Sequence, residues 1–105
     1  GHGGNSKTLR QLQIENVVLL DIIQTLTPYD HAGEIETSLI LHLCPEKVRR
    51  KEIKKHKFSY PKKEGWKTKD HSESGVLGDP TGATAENGER YLGEIVSNLL
   101  EQLKE

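Results

Sequence analysis

The chain has 105 residues, of which 32% are apolar and 30% charged, with a net charge of -1. One domain is the ceiling at that length, and the apolar share is thin for a self-sufficient core, so the composition points to a fragment or to a subunit that buries surface against a partner. The balanced charge removes the long-range field that would recommend nucleic acid or an anionic membrane, and no apolar run is long enough to span a bilayer.

The chain opens on GHGGN, residues 1–5. A pentapeptide of that composition is also what a cloning scar looks like, so its meaning depends on the rest of the chain. Asn5 or Ser6 is predicted to cap a short helix carrying Leu9 and Leu12 on one side, with Asn16 marking its end. The run from Val17 to Ile23 is short, β-branched and continuous. That pattern predicts a strand buried on both faces, as in a parallel or mixed α/β sheet, and Thr27, Pro28 and Tyr29 break it.

Glu34 to Leu43 reads as a helix because Ile35, Leu39 and Leu43 recur at i, i+4 and i+8, and Cys44-Pro45 stops it. Cys44 is the single cysteine and cannot close an internal disulfide; with no signal-peptide pattern either, the expected compartment is a reducing cytoplasm. Lys47, Arg49, Arg50, Lys51, Lys54, Lys55, His56 and Lys57 then form a basic cluster. Diluted by Glu46, Glu52 and Glu64, it reads as a solvated face and loop; the sharper alternative is a patch for an anionic substrate. GVLGDPTGAT, from Gly75, packs three glycines and a proline into ten residues and predicts a tightly turning loop. Thr84 is the predicted cap of the strongest helix, running from 84 to 104. Glu86 and Glu89 sit in its first turns, and Tyr91, Leu92, Ile95, Val96, Leu99, Leu100 and Leu103 form one stripe. There is no internal repeat and no low-complexity tract.

The chemistry-bearing residues gather in two places: His2 beside Gly3 and Gly4, and Asp30, His31, Glu34 and Glu36 in DHAGEIETS. Imidazole and carboxylate are ligands shared by zinc, manganese and ferrous iron, and a bound divalent metal makes water nucleophilic near neutral pH. His31 and Glu34, three apart at a helix start, fall on adjoining positions of one face. Taken singly, such residues are more often surface polarity than ligands.

The order GHGGN, DHAGEIETSL, CPEKVR and GVLGDPTGATAENGERYL resembles the C-terminal half of the creatininase (creatinine amidohydrolase) family. That family also holds archaeal formylaminopyrimidine nucleotide deformylases and peptidases of mycofactocin maturation. The resemblance runs from the first residue nearly to the last and makes a cloning scar a poor account of GHGGN. It implies a three-layer α/β/α amidohydrolase, usually a cyclic homohexamer, in which two divalent metals (zinc, manganese or iron) activate water against a C–N bond of an amide or cyclic amide. Carried onto this chain, it implies His2 as a metal ligand and His31 as the catalytic group that protonates the leaving nitrogen, a task suited to a near-neutral pKa. Glu36 is implied to orient that histidine or the metal shell. Asn5 and the backbone of Gly3 and Gly4 are implied to line the substrate side. The creatininase proper places a carboxylate two residues after the first histidine, where this chain has Gly4; Glu34 is the expected substitute metal ligand.

Two departures from the family pattern carry consequences. Its remaining ligands, a Glu, a His and a bridging Asp from an N-terminal E-x-H-G segment, are absent from this chain. Two neighbouring dications repel and need several carboxylates, so His2 and Glu34 alone do not hold a dinuclear site. The chain is therefore expected to be a partial creatininase-like domain over residues 1–105 that needs the N-terminal half or a neighbouring subunit. Secondly, only 28 residues separate His2 from His31, fewer than the family usually places there, so either an excursion that shapes the pocket is trimmed, which would open it, or a segment between the two is missing. The leading expectation is a metal-dependent amidohydrolase acting on a small-molecule substrate, creatinine-like or a formylamino-pyrimidine nucleotide. Lys47 to Lys57 favour a phosphorylated one, and no nucleic acid or membrane partner is expected. The competing expectation is a non-catalytic remnant that serves as an assembly module through helix 84–104. A third is a closed, structural site for one metal.

Overall fold

The computed structural model describes residues 2–12, 14–20, 22, 30–62 and 65–104, with the backbone alone at 2–4 and 6. Three α-helices dominate: α1 (His2–Arg10), α2 (Glu34–Leu43) and α3 (Ala85–Leu103). Single 3-10 turns at Pro45–Lys47, Arg50–Glu52, Thr68–Asp70 and Pro80–Gly82 punctuate the long connection between α2 and α3. The chain divides into two compact units, Gly1–Pro28 with Gly93–Glu105, and Tyr29–Leu92.

In the first unit, α1 begins at His2, so Asn5 lies inside the helix and does not cap it as expected. A helix of nine residues with Lys7 and Arg10 in its last turn sets cationic side chains against the negative end of its dipole. Leu9 and Leu12 are exposed, and Asn16 takes a left-handed φ of 64°, which suits Asn in a turn. The strand expected over Val17 to Ile23 does not form in its described part. Residues 17–20 lie outside any ladder, Ile22 is in a 3-10 turn, and Val17 and Val18 are about 60% exposed. A β-branched run becomes a strand only beside a partner strand, and none accompanies it among the described residues. Asp21 and residues 23–29 lie outside the described residues.

The second unit is built on α2 and the start of α3. α2 spans the predicted residues, but its buried face is Ser38 and Leu41, whereas Leu43, expected in the apolar stripe, is exposed. Ser38 is fully buried because α3 comes down on it at Gly88: a Cβ there would overlap the Ser38 carbonyl. Small residues at a helix contact let two backbones approach, and that choice rotates the buried face away from the simple i, i+4 row. Thr84 caps α3 as predicted, its Oγ1 accepting the Asn87 N–H at 3.0 Å. In the C-terminal part of α3, which falls in the first unit, Ile95 is buried while Val96, Leu100 and Leu103 are each about half exposed.

Among the described residues, pairing in the second unit consists of two isolated antiparallel bridges, His31 with Leu77 and Phe58 with Ser72. The turn at Pro80–Gly82 packs on α2, with Pro80 buried and Asp79 capping it through the Thr81 N–H at 3.0 Å. Among the described residues, no helix is long and apolar enough to cross a membrane.

Candidate active-site loop

The two loops whose wording is most distinctive, DHAGE and GVLGDPTG, meet in space. His31 N–H donates to the Leu77 carbonyl at 3.0 Å, and Leu77 N–H returns a bond to the His31 carbonyl at 2.8 Å. Leu77 turns inward at 4% exposure, while the His31 side chain is exposed. A reciprocal pair of this kind fixes the backbone and leaves the imidazole accessible. The next step of the loop is tight: a Cβ on Gly78, at φ +154°, would fall 3.0 Å from Asp30 Cβ and 3.1 Å from Gly33 Cα. Glycine is the residue that permits this approach.

Between His31 and α2 the backbone is strained. Ala32 sits in the left-handed region at φ 54°, a conformation that costs a residue with a Cβ about 1 kcal/mol. The Glu36 carboxylate holds it there, its Oε2 accepting the Ala32 N–H at 2.6 Å. Asp30 reaches forward in return, its Oδ2 accepting the Ile35 N–H in the first turn of α2 at 3.1 Å. The two carboxylates thus brace the loop from opposite ends, in the manner of a capping box. Asp30 Oδ1 is buried and has no hydrogen-bond partner among the described residues. Burial pushes the Asp30 carboxyl above its ordinary value, the Ile35 and Glu36 N–H groups pull against that shift, and the charges of Glu36 and Glu34 add to it.

Glu34 turns the other way, into the contact with α3. Its Oε1 accepts from Ser38 Oγ at 3.1 Å and from Asn87 Nδ2 at 2.9 Å. Its Oε2 accepts from the Tyr91 hydroxyl at 2.5 Å. Ser38 Oγ in turn accepts the Thr84 N–H at 3.1 Å, joining the network to the α3 cap. The bond to Glu34 is the main reason the Tyr91 phenol lies above its ordinary pKa, with burial second.

Of the predicted site residues, the second unit brings His31, Glu34 and Glu36 together on one short segment. Glu36 lines a cleft of about 410 Å³ with Ala32, Thr37, Val48, Ile53 and Pro80. Gly3, Gly4 and Asn5 are helical in α1, within the other unit, and Asn5 is exposed. The side chain of His2 lies outside the described residues. Sequence reasoning missed Asn87 and Tyr91 as polar partners of Glu34. Their spacing of four on α3 was the available signal, since it sets them on one helix face. Among the described residues, no group of three His, Cys, Asp or Glu converges as a metal-binding cluster.

Comparison with known proteins adds lineage to this geometry. The family model for creatininase, described as creatinine amidohydrolase, matches residues 1–103. The chain is 33% identical to the mycofactocin precursor peptide peptidase of Mycolicibacterium smegmatis, over 99% of this chain and 46% of that protein. It is 33% identical to the protein of the same name from Mycobacterium ulcerans, over 98% of this chain and 45% of that one. A third, from Mycobacterium tuberculosis, is 36% identical over 70% of this chain and 31% of its own length. The chain thus spans less than half the length of the curated relatives it matches. The first alignment covers 114 positions, more than this chain's 105 residues, so that relative carries additional residues inside the matched region. No solved structure matches the chain significantly.

Proposed function

The chain belongs to the creatininase family, and from that premise we propose that it forms part of a metal-dependent hydrolase of an amide C–N bond, with His31 as the proton donor to the departing nitrogen. Membership carries the α/β class; a three-layer α/β/α arrangement, completed by the N-terminal half or a neighbouring subunit of a homo-oligomer, belongs to this proposal. The observation that carries it is the reciprocal His31–Leu77 pairing, at 3.0 and 2.8 Å, which joins the two signature loops and leaves the imidazole exposed.

The described residues alone do not fit a metal centre, since no three ligand-type side chains cluster among them. The proposal therefore draws the metal donors from His2 and from residues beyond this chain, and it divides the two loop carboxylates. Glu36 lines the cleft and pins the peptide that follows His31, which supports a positioning and metal-facing role. Glu34, expected as the metal's carboxylate, is engaged by Ser38, Asn87 and Tyr91, which supports a structural one. When bound, a divalent metal supplies the activated water. The protein's own part is to hold the imidazole at the end of a braced loop, where its ring N–H can reach a leaving amine.

The relatives' name supports a peptide as the substrate class. A creatinine-like ring and a formylamino-pyrimidine nucleotide, expected from the family resemblance, are the other members of the test panel. The second reading, a non-catalytic assembly module, draws on the exposed Val96, Leu100 and Leu103 of α3. With the N-terminal half supplied, stoichiometric divalent metal that is lost in His2→Ala, together with turnover of one panel substrate, bears out the hydrolase. A stable assembly of the two halves that binds no metal and turns over none of the panel overturns it.

A further inference from the structure

Beside the cleft at Ala32 and Glu36 lies a second, of about 600 Å³, lined by Arg49, Lys54, Lys55, His56 and Lys57. Arg49, Glu52 and Val76 line both, so the two clefts adjoin at these side chains as the parts of a two-part trench. Its far end is cationic: Glu52 and Glu73 are the acidic lining residues, against four Lys or Arg side chains and a histidine. Among the described residues, no carboxylate is ion-paired with Arg49, Lys54, Lys55 or Lys57. The field extends beyond the cleft. Asp79 is held below the ordinary carboxylate range first by its Thr81 hydrogen bonds, and Lys55 and His56 add to the effect.

Unneutralised cations in a concave wall concentrate field and attract anions from solution. A patch that merely kept the protein soluble has no reason to line one end of a trench whose other end holds the strained Ala32 and Glu36. From this geometry we infer that the trench binds an acidic stretch of a peptide substrate, with its carboxylates on Lys54, Lys55 and Lys57 and its scissile bond toward Ala32 and Glu36. The inference rests on the hydrolase reading for the choice of a peptide; the cationic trench itself does not.

The test is binding without turnover, in chelator, so that its failure is separate from a failure of the hydrolase reading. A fluorescent peptide of alternating Glu and Gly, and its Gln counterpart, are titrated with the full chain by anisotropy at about 0.05 M salt, where surface charges are weakly screened. The acidic peptide is expected to bind and the Gln peptide not. Lys54→Gln/Lys55→Gln/Lys57→Gln should weaken binding about tenfold, while Lys62→Gln/Lys67→Gln/Lys69→Gln, outside the trench, leaves it within about twofold. Lys55→Glu alone provides the same direction if the triple variant fails to fold. Equal weakening by both triple variants overturns the inference as non-specific attraction. Complete displacement by inorganic phosphate at about millimolar concentration overturns it in favour of a small phosphorylated ligand, because a peptide held at several points outcompetes a single anion.

Discussion

The Tyr91 hydroxyl donates to Glu34 Oε2 at 2.5 Å, joining residues 57 positions apart. Hydrogen bonds to an ionised acceptor are shorter and about twice as strong as neutral ones. With Asn87 and Ser38 on the other oxygen, the Glu34 carboxylate ties the first turn of α2 to the first two turns of α3. This commits one of the loop's acids to the fold and leaves the opposite face of α2, with Glu36, to the cleft.

Tyr91→Phe should therefore cost about 1–2 kcal/mol in urea denaturation, and Glu34→Gln a similar amount. Because the two share one bond, the double variant should cost clearly less than both singles together. Metal content of the loaded protein should be unchanged in Glu34→Gln. Metal loss in that variant would contradict the structural role assigned to it.

The two glycines of α3 at 88 and 93 separate close packing from helix propensity. A Cβ at Gly88 meets the Ser38 carbonyl and His42 Cβ, whereas one at Gly93 meets nothing within 4 Å. Gly93→Ala should stabilise the protein by up to about 1 kcal/mol, since alanine favours a helix interior. Gly88→Ala should destabilise it by about 1–3 kcal/mol despite the same propensity gain. Thermal melts of the pair decide it, and equal shifts would show that α2 and α3 do not approach there.

Asp30 gives a pH signature. Its folded pKa is raised, chiefly by burial, so the folded state holds its proton more tightly than the unfolded chain. The stability it contributes is full below the unfolded value near 3.8 and is lost as pH rises through the raised folded value. Asp30→Asn keeps an oxygen for the Ile35 N–H and removes the buried charge. It should flatten the pH dependence of stability above about pH 4 and match or exceed the wild type at pH 7. A variant that loses stability most at neutral pH would show that the ionised form is the one the fold favours.

The helices were legible in the residues to the extent that they are locally encoded. Cys44-Pro45 ends α2, and the Thr84 hydroxyl begins α3 beside a leucine-rich stripe. The start of α1 was misplaced because Asn5 and Ser6 are good caps in isolation, yet the helix runs back through the glycines to His2. Val17 to Ile23 reads as a strand, and its described residues form none, because propensity is local while pairing is not. In the candidate site, the words DHAGE and GVLGDPTG name the two loops that the His31–Leu77 pairing joins. The division of labour between Glu34 and Glu36 was invisible, since it depends on which face of α2 meets Asn87 and Tyr91 across more than fifty residues.

The most direct measurement is kcat for the proposed peptide hydrolysis by the metal-loaded protein completed with its N-terminal half, compared between the wild type and His31→Gln. A positioned proton donor is worth about 10²–10⁴ in rate, and His31 is exposed, so its loss should leave folding and metal content intact. The account predicts a fall in kcat within that range at unchanged metal stoichiometry. A kcat in His31→Gln equal to the wild type would contradict it.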